Sequence, residues 1–139
     1  MIASYIHMNG KIGVLVEVNC ESDFVARNEE FQELVKNICL HIAASNPLYI
    51  SSDDIPETIV NGEREIIREQ FKDSEKPPQI IDKIVEGKLQ KFYQEVCLMD
   101  QPYVKDDKIS LSKLIASYIA KFGENIKVSR FTRYELGKN

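Results

Sequence analysis

The chain has 139 residues, enough for one domain with a hydrophobic core of its own. Hydrophobic residues make up 43% and charged residues 29%, and the formal net charge is −4, which argues against nucleic-acid binding as the main task because such domains carry a basic excess. No apolar run is long enough to span a bilayer, the N-terminus lacks a basic-then-apolar signal pattern, and a cytoplasmic protein with no membrane contact is expected.

Residues 3–20 read as a β-hairpin around Asn9-Gly10, a pair suited to a type I′ turn in which both central residues take positive φ. That turn sets Met8 opposite Lys11, His7 opposite Ile12 and Tyr5 opposite Val14. Ile12, Val14, Val16, Val18 and Cys20 then line the core face. Residues 21–27 are expected to form an irregular link. Asn28 is a good N-cap for a helix with Glu29 and Glu30 in its first turn and Phe31, Leu34, Val35, Ile38 and Ile42 as its apolar stripe, ended by Pro47.

Ser51 to Asp54 are read as the cap of a second helix, from about Glu57 to Phe71. Beyond Lys76-Pro77-Pro78, a longer helix carries Ile81, Ile84, Val85, Leu89, Phe92, Val96 and Met99 at helical spacing, until Gln101-Pro102 breaks it. Leu111, Leu114, Ile115, Tyr118, Ile119 and Phe122 give the clearest helical stripe, with Gly123 as its αL stop. Ile126 to Leu136 alternates and is rich in Val, Phe, Thr and Tyr, so it reads as a third strand. The expected fold is α+β, a small three-stranded antiparallel sheet with helices packed on one face.

The sequence carries no recognisable motif for covalent chemistry. The glycines form no phosphate loop, Cys20, Cys39 and Cys97 match no zinc spacing, and His7 and His41 are far apart in sequence. Buried reduced thiols and a satisfied structural His41 are the expected states. The pairs Glu29-Glu30, Asp53-Asp54 and Asp106-Asp107 sit at predicted helix starts or turns, where solvated capping explains them. No catalytic residue, metal or cofactor is assigned. One segment stands apart: Ser22-Asp23-Phe24-Val25 places a carboxylate and a large aromatic between strand and helix. Phe24 is there either an interface anchor or a staple folded back toward Phe31, and local physics favours the staple.

Four stretches in order, GVLVEVNCESDFVARNEEF (residues 13–31), HIAASNPLYIS (41–51), KIVEGKLQKFYQEVCLMDQPYVKDD (83–107) and AKFGENIKVSRFTRYELG (120–137), resemble elongation factor Ts, and the resemblance covers nearly the whole chain. It implies a guanine-nucleotide exchange factor for elongation factor Tu, acting as a homodimer with no direct nucleic-acid contact. It further implies that the turn carrying Ser22, Asp23, Phe24 and Val25 enters the GTPase and dislodges its Mg²⁺. His7 and the pair Phe122-Gly123 match supporting contacts. Ser22 stands where the family usually has Thr and keeps the hydroxyl; Phe122 stands where Ile is usual. The family's small N-terminal helical domain has no counterpart in residues 1–139, since Met1 falls almost at the first strand, so the expected content is a single core domain, either isolated or an unusual short form. The alternative reading is a dimerisation or docking module without exchange activity, in which Asp23 and Phe24 are replaceable.

Overall fold

In the computed structural model, which describes residues 1–138, the first 19 residues form the hairpin that organises the fold. β1 (Ile2–Ile6) and β2 (Ile12–Asn19) pair antiparallel in the register expected, Tyr5 opposite Val14, and the His7 amide donates to the Ile12 carbonyl at 2.9 Å. The turn is a different one. The Gly10 amide closes back on the His7 carbonyl, and of Asn9 and Gly10 only Gly10 has a positive φ, +70°. A type I′ turn needs both, so the bend lies over His7–Gly10 with the glycine absorbing the left-handed step.

The last strand, β5 (Lys127–Glu135), pairs antiparallel with β2 and makes it the central strand of a three-stranded sheet, order β1-β2-β5, with an irregularity between Glu17 and Val18. Val14, Val16 and Val18 are buried beneath α2 (Glu29–Ser45), whose Phe31, Leu34, Val35, Ile38 and Ile42 are all buried against the same face. Asn28 caps α2 by accepting from the Glu30 and Phe31 amides. Its other end closes through Asn46 in left-handed geometry, and the Arg133 guanidinium donates to the Ala43 carbonyl at 3.0 and 3.3 Å, satisfying a helix-end acceptor. Among the described residues no helix covers the opposite face of the sheet.

Residues 21–27 are not irregular: a one-turn helix, α1 (Asp23–Ala26), fills the link. Ser51 and Asp54 form a reciprocal capping box around the 3-10 turn Ser52–Asp54 instead of capping the next helix. That helix, α3 (Glu57–Glu69), begins after Pro56 and packs mainly on α4 (Pro78–Val96), with Arg64–Glu86 and Arg68–Asp82 ion pairs along one side. Met99 belongs to a separate 3-10 turn, Leu98–Asp100. No strand is expected between Gln101 and Ser110, yet β3 (Pro102–Tyr103) and β4 (Asp106–Ser110) pair there, with Asp106-Asp107 directly after the turn at Val104-Lys105. Ser110 then caps α5 (Leu111–Phe122), which Gly123 ends at φ +70° as expected.

Candidate functional site

The strand-to-helix turn is built by its first residue. Ser22 has extended backbone and its hydroxyl accepts from the Val25 amide at 3.2 Å, capping α1. The Ser22, Asp23 and Val25 carbonyls accept from the Ala26, Arg27 and Asn28 amides, so one helical turn closes on itself and leads into α2. The Gln32 side chain reaches back to the Ala26 carbonyl at 3.3 Å.

This geometry decides which side chains face outward. Val25 points inward, 4% exposed and part of the main core. Phe24, one position earlier on the same turn, is 84% exposed. It does not fold back on Phe31, which is fully buried among other partners, so the staple expected from local pattern is overturned. Asp23 is exposed beside it, and among the described residues its side chain enters no ion pair. The arrangement is a knob: an aromatic ring and a carboxylate on a hydrogen-bonded turn whose Val25 is buried beneath them. In the chain by itself the Val25 side chain packs beneath the turn and the two residues before it face outward.

The corner after α5 lies against this turn. Glu124 accepts from the Glu21 amide at 3.0 Å, from the Ser22 amide at 3.0 Å and from the Ser22 hydroxyl, which is 2.8 Å from Oε2 and 3.1 Å from Oε1. Lys121 forms an ion pair with Glu30 next door. Gly123 is exposed, whereas Phe122 is half-buried against the core and near the Tyr118 ring. The structure thus brings Ser22, Asp23, Phe24 and Val25 together with Phe122 and Gly123. It does not bring in His7. That residue is half-buried, its Nδ1 3.1 Å from the Tyr5 hydroxyl, at the turn end of the hairpin. The eight residues of β2 lie between, roughly 25 Å at about 3.3 Å per residue. Sequence reading did not single out Glu124. It lies unremarked within the stretch quoted for residues 120–137, and its partners are 102 and 103 positions away.

A family profile described as Elongation factor TS matches residues 1–138. The chain belongs to the elongation factor Ts family. An elongation factor Ts of Thermodesulfovibrio yellowstonii is 56% identical over 138 residues, 99% of this chain and 68% of that protein. One from an Anaeromyxobacter species is 54% identical over 99% of this chain and 63% of its own length, and one from Thermosipho melanesiensis is 53% identical over 99% and 70%. The chain therefore spans about two thirds of the length of these relatives. The family role is guanine-nucleotide exchange in translation elongation, a task that makes or breaks no covalent bond. In the described residues no helix is long and apolar enough to cross a membrane.

Proposed function

We propose that this chain binds elongation factor Tu in its GDP form, in the cytoplasm, and accelerates GDP release by presenting the Asp23–Phe24 knob to the GTPase. The observation that carries the reading is Phe24 itself: a large aromatic left 84% exposed on a turn whose backbone is fixed at both ends. With the backbone of the turn already held, docking the ring in a partner's apolar slot costs the ordering of the side chain but not of the loop. Asp23 then arrives beside it as a fixed negative charge. Mg²⁺ in a GTPase bridges phosphate oxygens to protein ligands and neutralises their charge. A carboxylate and a wedge that disturb the metal-holding region weaken the nucleotide with it. Binding the nucleotide-free GTPase more tightly than the GDP form requires, by linkage, that the factor weaken GDP by the same ratio. Ser22 and Val25 act here by holding the knob; Gly123 and the edge of Phe122 extend the contact surface, and His7 is a second, remote contact. The test is release of a fluorescent GDP analogue from elongation factor Tu, with this chain at substoichiometric concentration. Acceleration over the spontaneous rate is expected, and an unchanged rate rejects the reading.

We infer further that the protein is a homodimer joined through the sheet face that carries no helix. Ile2 (57% exposed), Ile6, Leu15 (53%) and Tyr134 (76%) lie on that face, and Leu136 continues it. Gly13 leaves a hollow of about 330 Å³ between Ile6, Leu15 and Tyr134. A second copy, related by a twofold axis, offers the same apolar side chains to the same hollow.

A further inference from the structure

We propose that Glu124 is the positioning residue of the exchange knob, holding it in its working geometry without touching the GTPase. The inference rests on the reading of Asp23 and Phe24 as the contact.

Glu124 stands at the head of a chain of hydrogen bonds. Its carboxylate accepts two backbone amides, from Glu21 and Ser22, at 3.0 Å each. It also accepts the Ser22 hydroxyl hydrogen, and the same Ser22 oxygen accepts from the Val25 amide. Ser22 thus uses its donor on Glu124 and its acceptor on the knob. Fixing the donor direction aims the lone pair at Val25, which fixes the turn that carries Phe24 outward. The Cys20 thiol, donating to the Ser22 carbonyl at 3.3 Å, adds a weaker tie on the other side. Glu124 comes from the corner after α5, where Gly123 in left-handed geometry turns the chain out of the helix and toward the knob. The Lys121–Glu30 pair fastens the same corner to the start of α2. Three charge-assisted hydrogen bonds on one carboxylate make a stronger hold than neutral partners would. This also gives the Phe122-Gly123 corner a task other than contact, namely to place Glu124. A hydroxyl at position 22 is then required, and Ser22 supplies it.

The experiment compares Glu124→Ala, Glu124→Gln and Phe24→Ala in the full chain. GDP release is measured across a range of factor concentrations, with melting temperature and amide hydrogen exchange for each variant. Glu124→Ala is expected to lower the maximal acceleration about tenfold, the scale of a lost hydrogen-bond set to a charged group, and to speed exchange of the Ser22 and Val25 amides selectively. Glu124→Gln keeps one carbonyl oxygen for the two amides but sets an NH2 donor against the Ser22 hydroxyl in place of Oε2, and is expected to recover only part of the rate. If Glu124→Ala exchanges nucleotide normally while Phe24→Ala does not, the positioning role is wrong and the knob stands. If Glu124→Ala and Phe24→Ala are both normal, the knob reading falls and takes this inference with it. A loss of activity accompanied by uniformly faster amide exchange throughout the core also overturns it, because Glu124 would then support the fold at large.

Discussion

Adjacent residues on the knob make opposite forecasts. Phe24 is exposed, so Phe24→Ala should leave the melting temperature within a degree or two while removing a binding anchor of about 2 kcal/mol or more. Asp23→Ala should behave likewise in stability and also slow GDP release. Val25 is buried, so Val25→Ala removes apolar volume from the core and should cost about 2 kcal/mol, several degrees in a domain of this size. Melting curves and exchange rates on the three variants check all of this. A stable, fully active Phe24→Ala protein would reject the anchor. The sequence showed that this segment was unusual but not which residue faced out. A one-turn helix has no periodicity to read, and an aromatic near a helix start suits a staple equally well. The turn's orientation comes from Ser22 and Glu124, a contact across 102 positions that no local pattern contains. The thiols were easier. Cys39 and Cys97 are buried and pushed up to about 11, chiefly by burial, with Asp100 adding to the effect on Cys97. A thiol reagent at neutral pH should therefore label Cys20, half-buried at the end of β2, before either of them.

Among the elements, those with long apolar stripes were legible: α2, α4 and α5 begin and end within a few residues of the expected places, because the stripe agrees with caps in α2 and α5 and with the flanking prolines in α4. The short ones were not. β3 and β4 are held by tertiary contacts, and the link to α2 is His41. Its Nδ1 accepts from the Val104 amide at 3.1 Å, and its Nε2 lies 2.9 Å from the Gln101 side-chain oxygen. Gln101 in turn donates to the Ser45 and Glu95 carbonyls. The Val104 amide demands an unprotonated Nδ1, so the neutral ring with its proton on Nε2 satisfies the whole set. Burial depresses the His41 pKa below the usual value, against a smaller opposing effect of the Gln101 hydrogen bond. The sign follows from linkage. The unfolded chain takes up the proton first, near pH 6.5, so this contribution to stability is present above pH 6.5. It is lost as pH falls from there toward the lower folded value. Urea midpoints should drop between pH 7.5 and 5.5. In His41→Gln, whose amide has no such titration, the midpoint should start lower and change less over that interval. An equal drop in both proteins would show that His41 is not the titrating group.

For the whole molecule, the sequence established one hairpin and one late strand, and therefore a three-stranded sheet with a single helical layer. That the other face stays open follows from the count of elements; that it is apolar follows from alternation, since Ile2, Ser4 and Ile6 share it with Leu15, Thr132 and Tyr134. A solvated sheet face ordinarily carries polar residues, so a stripe of Ile, Leu and Tyr exposed over its length is better explained as an interface. The Glu17–Arg130 pair on the same face, 3.2 Å apart, sits at one end of it and suits the polar rim of such a patch. Leu15 is at the centre of the patch on the middle strand, which makes it the position to test. Leu15→Glu places a carboxylate where two copies would bury it facing its own symmetry mate, yet in the single chain the side chain is 53% exposed, so folding should survive. Sedimentation equilibrium at micromolar concentration should give twice the 16.0 kDa chain mass for the natural sequence and the chain mass alone for Leu15→Glu, with melting of the variant becoming independent of concentration. If the natural sequence itself sediments at 16.0 kDa, the open face is not a self-association surface, and its apolar stripe belongs to another partner.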